Sequence, residues 1–142
     1  MRGPTDIEQI SQLKARYFYH LDAKQWDDYG MVFAQDAVLD VTGEYPDAPD
    51  PSLYIVTGRA AIARFVGAAV EGIVTVHHGH MPIITLHDDA NASGIWAMED
   101  NLFMADGARM TGFGHYHEEY RRLDGSWFIT RCRLTRLRIV LH

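Results

Sequence analysis

From about residue 73 onward, apolar side chains recur at every second position in four long stretches, near 73–86, 94–105, 109–123 and 126–140. A period of two is that of β-strands with one buried face. The connections between them are short. They are His87-Asp88-Asp89-Ala90-Asn91, Asp106-Gly107 and Asp124-Gly125, and the last two are good hairpin signals. Four strands joined in this way form an antiparallel meander, and such a sheet must have one face covered.

The cover comes from the N-terminal half, where the period is helical. Thr5-Asp6-Ile7-Glu8 has capping-box spacing, and Ile7, Ile10, Leu13, Tyr17 and Leu21 then recur at steps of three and four. A first helix is therefore expected to run to about Leu21. Asp22-Ala23-Lys24-Gln25 can cap a second, shorter helix with Trp26, Tyr29 and Phe33 on its apolar side. Ala37-Val38-Leu39-Asp40-Val41 reads as a strand. Residues 43–52 hold Pro46, Pro49 and Pro51 and read as a loop, either a plain connector or, with Tyr45 inside it and Tyr54 after it, a lid. A third helix is expected from 59 to about 70, burying Ile62, Phe65, Val66 and Ala69. The reading is one α+β domain over residues 1–142, with a curved, mostly antiparallel sheet wrapped over three helices to enclose a conical cavity.

At 142 residues, 47% hydrophobic and 23% charged, the chain has the balance of an ordinary globular domain, long enough for a core or a small cavity. A net charge of −6 argues against nucleic acid as the main partner. No apolar run approaches the roughly 20 residues of a membrane span, and no signal-peptide pattern opens the sequence, so no membrane partner and a cytoplasmic location are expected. The one cysteine, Cys132, excludes an internal disulfide and a multi-cysteine zinc site; in mid-strand it reads as a small buried hydrophobe. Arg131-Cys132-Arg133-Leu134-Thr135-Arg136-Leu137-Arg138 is basic, and its alternation reads as a solvated or interface face.

This order of elements resembles the NTF2-like fold, a cone-shaped α+β barrel. The residues are similar to those of its SnoaL-like branch, related to scytalone dehydratase. The resemblance rests on Leu21-Asp22-Ala23-Lys24-Gln25-Trp26-Asp27, Phe33-Ala34-Gln35-Asp36-Ala37, Gly58-Arg59-Ala60-Ala61-Ile62, Thr75-Val76-His77-His78 and Tyr120-Arg121-Arg122-Leu123-Asp124-Gly125-Ser126-Trp127. It implies a cavity for a small hydrophobic ligand and a homodimer or homotrimer, with Trp127 and the arginine strand as a docking surface. It also implies an aspartate after helix 1, here Asp22, orienting a strand histidine, here His77. The chemistry is independent of the family: a carboxylate on one imidazole nitrogen fixes the tautomer and raises the basicity of the other. Asp22 can also cap helix 2, and one oxygen can do each. The rest of the scytalone set is missing. Leu21 and Val41 stand where tyrosines would, and the second histidine falls near Glu99-Asp100. A serine and an asparagine fall near Gly114 and Tyr116.

Alternation supplies the other candidates. His77, Gly79, Met81 and Ile83 share one face, with His78 and His80 on the other. Trp96, Met98 and Asp100 share a face that is read as inner, which makes Asp100 an acid/base candidate. Tyr116 falls inward by the resemblance and can polarise a carbonyl or hold a water. A bulge near Gly112 or Gly114 would instead bring in His115 or His117, and both phases stay open. Tyr17, Tyr19, Trp26, Tyr54, Phe65, Trp96, Met98 and His117 are candidate ligand-binding residues, each equally able to be ordinary packing. The histidines invite a metal, yet two at i, i+2 on a strand need a third ligand at the same level; none is assigned, and no cofactor is expected. The expected function is proton abstraction by Asp22 and His77, with Asp100 and Tyr116, on a small ring-containing hydroxy- or keto-compound. Dehydration, isomerisation and polyketide-type cyclisation, lyase or isomerase chemistry, all fit. The alternatives are a non-catalytic binding or oligomerisation module and the small subunit of an aromatic-ring dioxygenase.

Overall fold

A computed structural model describes residues 2–142. Helix α1 (Asp6–Asp22) starts on the capping box foreseen from Thr5 and Glu8 and carries Ile10, Leu13, Tyr17, Phe18 and Leu21 into the core. Helix α2 (Trp26–Gly30) is a single turn and a half. Strand β1 (Phe33–Asp40) begins four residues before the expected strand, so Phe33 sits on a strand and not on the second helix. Residues 42–54 are a loop with two 3-10 turns, Thr42–Glu44 and Pro51–Tyr54, whose Tyr45 and Tyr54 rings stack at 3.8 Å. A three-residue strand β2 (Ile55–Thr57), too short to leave a periodic signal, pairs with β1. Helix α3 (Arg59–Ala69) follows Gly58, whose φ of 102° suits glycine.

The meander is β3 (Val74–Leu86), β4 (Asn91–Phe103), β5 (Arg109–Leu123) and β6 (Ser126–Leu141). Asp124 and Gly125, at φ 50° and 82°, make the tight turn between β5 and β6. The six strands form one curved open sheet in the order β2-β1-β6-β5-β4-β3, antiparallel except where β1 runs beside β6. Its inner face packs on the helices around one core that includes Ile10, Leu13, Tyr29, Phe33, Leu39, Ile62, Trp96, Ile129 and Cys132.

Irregularities in register decide which side chains reach that face. Between Gly79 and Pro82, β3 carries one extra residue relative to β4, so Pro82 pairs with Trp96. The alternation is reset there. Met81 and Ile83, expected to share the His77 face, are 92% and 68% exposed. Of the two phases left open for β5, the one with Tyr116 inward is found: the extra residue lies on β6, between Arg136 and Arg138, while β5 keeps its phase. Gly114 permits this, because a side chain there would run into the Thr135 carbonyl. Tyr116 therefore stays buried. Trp127, expected on a docking surface, is 4% exposed, and its indole N–H donates to Asp6 at 3.2 Å.

Candidate active site

Asp22 is the last residue of α1, where the helix dipole disfavours a negative charge. Three hydrogen bonds offset this. His77 Nδ1 lies 2.6 Å from Asp22 Oδ1, Thr75 Oγ1 donates to the same oxygen at 2.9 Å, and the His77 backbone N–H donates to Oδ2 at 2.9 Å. Asp22 does not cap helix α2. Both its oxygens are turned to β3, and Gln25 holds the cap position without a side-chain bond to the helix backbone. Lys24, at φ 57°, ties the turn after α1 to the connection between α3 and β3 by donating to the carbonyls of Val70 and Ile73 at 2.9 and 2.6 Å. Burial alone would raise the Asp22 pKa. The hydrogen bonds from His77 and Thr75 outweigh it and hold the carboxyl below its ordinary value. Since a carboxylate only accepts, His77 Nδ1 donates, and the lone pair of the neutral ring is on Nε2. Phe18 stacks on the imidazole at 6.0 Å between ring centres, and Gly79 leaves room for the Phe18 ring.

His77 Nε2 is 3.9 Å from Asp100 Oδ2 on the neighbouring strand. Asp100 is gripped by Arg136, whose two terminal nitrogens donate to its two oxygens at 2.7 and 2.9 Å. Arg136 also pairs with Glu44 on the first 3-10 turn. Burial works against the guanidinium, but its bonds to Asp100 and Glu44 outweigh this and raise its pKa further. Gly112 faces this cluster across β5. A side chain there would meet both the Arg136 guanidinium and the Asp100 carboxylate.

These groups form the polar end of a cavity of about 340 Å³, within the range of small-molecule sites. Its walls are mainly apolar, from Leu21, Leu39, Val41, Phe65, Val66, Leu102, Met110, Leu134 and Ile139, with Tyr17, Tyr45 and Tyr116. Burial, then the Asp100 charge, pushes the Tyr116 phenol well above its ordinary pKa, so its hydroxyl keeps its proton.

Of the residues singled out from the sequence, Asp22, His77 and Asp100 come together here, and Tyr17, Phe65 and Tyr116 line the same cavity. The others do not line it. Tyr19 is 63% exposed. Trp26 packs on Gly67 and Tyr29, and Tyr54 stacks on Tyr45. Trp96 and Met98 are buried in the sheet beneath, Trp96 with its N–H on the Tyr120 hydroxyl at 2.9 Å. His117 points to the outer face and contacts Thr135 Oγ1 at 3.1 Å. Cys132 is fully buried, and burial pushes its thiol well up.

Sequence reading missed Arg136, Glu44, Lys14 and Glu118. Arg136 has the same parity as buried Cys132 and Leu134 and opposes Arg131 and Arg133, so the basic strand carries arginines on both faces. Lys14 falls in the apolar stripe of α1, four residues after Ile10. Glu118 shares the inward parity of Tyr116 and Tyr120. The two pair at 2.7 Å with both side chains fully buried. Lys14 Nζ lies 3.6 Å from the ring centres of both Tyr17 and Tyr116, and Tyr120 Oη donates to Glu118 at 2.6 Å.

A curved sheet closed by helices over one apolar cavity with a polar end defines a class of small-molecule-cavity α+β proteins. The chain belongs to the SnoaL-like domain family of the NTF2-like superfamily, which matches residues 4–133. It is similar to a solved protein of Novosphingobium aromaticivorans provisionally designated a scytalone dehydratase (TM-score 0.82, 19% identity, covering 95% of this chain and 86% of that one). It is similar to a hexachlorocyclohexane dehydrochlorinase of Novosphingobium barchaimii (TM-score 0.81, 16% identity, 94% and 88% covered). A second Novosphingobium aromaticivorans protein, provisionally designated an aromatic ring hydroxylase, matches with a TM-score of 0.81 and 26% identity, covering 98% and 95%. No helix of the described residues is long and apolar enough to cross a membrane.

Proposed function

We propose that the protein removes a proton from carbon in a small, apolar, ring-containing hydroxy- or keto-compound, with His77 as the base and Asp22 as its orienting partner. The observation that carries this reading is the 2.6 Å contact from Asp22 Oδ1 to His77 Nδ1 beside a mainly apolar cavity. Proton abstraction turns the ring into an imidazolium, which Asp22 stabilises at Nδ1 and Asp100, 3.9 Å from Nε2, stabilises from the other side. The Tyr116 hydroxyl is a donor for a ligand carbonyl or hydroxyl. Asp100, with both oxygens on Arg136, acts as a fixed charge, a narrower role than general acid. Elimination of water needs no further reagent: His77 takes the proton from carbon and returns it to the departing hydroxyl. Isomerisation returns it to another carbon, and in cyclisation the carbanion attacks a second carbonyl of the ligand, whose oxygen takes the proton back from His77. Dehydratase and dehydrochlorinase, the names of two similar proteins, both describe elimination, which favours the first route.

The test is deuterium uptake and product formation by NMR in D2O, with a panel of cyclic β-hydroxyketones and the wild-type and His77→Ala proteins. A loss of about 10²–10⁴-fold in the variant is expected. An unchanged rate in a folded variant would remove His77 from the mechanism. A second reading, as a supporting subunit of an aromatic-ring dioxygenase, draws on the designation of the ring-hydroxylase relative. It requires co-purification with a larger, iron-containing chain.

A further inference from the structure

We infer that the cavity selects uncharged ligands and rejects carboxylates, and that Glu44 is the residue that sets this selection. The inference rests on the reading of this cavity as the ligand site and adds the charge class of what it takes.

Arg136 is the one lysine or arginine among the residues lining the cavity, and in a mainly apolar pocket it would ordinarily mark an anion site. Its terminal donors are all taken. One terminal nitrogen is directed to Asp100 Oδ1 at 2.7 Å and the Met98 sulfur at 3.5 Å; the other is directed to Asp100 Oδ2 at 2.9 Å and to Glu44 Oε1. These directions account for its four terminal N–H bonds. The remaining Nε is buried and faces no acceptor among the described residues, so it has no exposed donor to offer.

The charges point the same way. Two carboxylates, Asp100 and Glu44, stand against one guanidinium, and a third carboxylate, Asp22, backs His77. A ligand carboxylate at this end would lie beside Asp100 or have to displace Glu44, and like charges in a mainly apolar pocket repel. An alcohol or ketone meets no such penalty: the oxygen of either can accept from the Tyr116 hydroxyl, and an alcohol O–H can donate to His77 Nε2. Of the two carboxylates on Arg136, Glu44 is the adjustable one. It sits on a 3-10 turn outside the sheet with its side chain 20% exposed, whereas Asp100 is 6% exposed and held at both oxygens. Glu44→Gln keeps an acceptor for Arg136 and removes one charge.

Benzyl alcohol and benzoate, ring probes of nearly equal size, test this by chemical-shift titration of cavity resonances at pH 7.5. Wild type is expected to bind the alcohol at least about tenfold more tightly than benzoate. Glu44→Gln is expected to narrow that ratio about fivefold or more by raising benzoate affinity, while Glu44→Asp, which keeps the charge, retains the wild-type preference. Benzoate binding as well as the alcohol in wild type, or a ratio indifferent to Glu44→Gln, would overturn the inference. Failure of both probes to shift any cavity resonance would remove the ring-ligand site and this selection together. The base role of His77 is judged separately, since His77→Ala is read by exchange chemistry and not by the probe ratio.

Discussion

Asp22 and Glu118 are both carboxylates carried into the interior, and each meets a nitrogen base, yet they are built for opposite ends. Glu118 faces Lys14 with both side chains at zero exposure, shielded by Tyr17, Tyr116 and Tyr120. No ligand reaches that pair, and its components can only hold the floor of the cavity in place. Asp22 faces His77 with its own side chain 27% exposed, and the second ring nitrogen of His77 is left beside the cavity. The difference lies in access and in the base. An ammonium sealed under aromatic rings is structural, whereas an imidazole at a cavity wall can take and return a proton. A strong ion pair therefore does not mark the reactive place in this molecule; the pair with one nitrogen left over does.

The comparison breaks most readily at the sealed pair. Lys14→Met leaves Glu118 buried without its cation and should cost about 3–5 kcal/mol of unfolding free energy, measured by urea denaturation. Adding Glu118→Gln should recover much of that loss, because the remaining amide still meets the Tyr120 hydroxyl and no charge is stranded. A single-variant cost below about 1 kcal/mol would mean that Glu118 finds water or another partner, and the contrast would fail. Gly112→Ala comes next, at about 1–3 kcal/mol, because a Cβ must push Arg136 or Asp100 aside. It should also weaken the preference for benzyl alcohol over benzoate. A stability loss without that change would show that the strand can move while the ion pair stays whole.

How much of this was readable in advance varied with the kind of signal. The meander, its turns and the capping box of α1 were legible because local periods and turn residues dictate them. Asp22 and His77 were legible through a local motif in each case. The length of β1 was not, because its first residues, Phe33 and Ala34, prolong an apolar run that fits a helix equally well. Met81 and Ile83 were misplaced because a bulge resets the alternation, and pairing across the sheet, not sequence, fixes a bulge. Arg136 was lost in a run of arginines read as one face, although its parity with Cys132 and Leu134 marked it. Lys14 illustrates the hardest case. A lysine in an apolar stripe reads as a helix-edge residue until a glutamate more than a hundred positions away is brought opposite it.

The smallest expected effect sharpens the accessible side of the comparison. The Asp22 pKa is lowered in the folded protein, so the unfolded chain binds more protons in acid and stability rises with pH there. The contribution is fully present above the unfolded value of 3.8 and is lost as the pH falls below it through the folded value. In Asp22→Asn this slope disappears. The stability difference between wild type and variant, followed by thermal unfolding from neutral pH into the acid range, should therefore shrink below pH 3.8 and level off above it. It should be the smallest of the three effects because the partly exposed Asp22 shares its interactions with water, unlike Glu118. A difference that stayed constant through that range would mean the Asp22–His77 hydrogen bond does not favour the ionised carboxylate. The base assigned to His77 would then lack the oriented partner on which its chemistry depends.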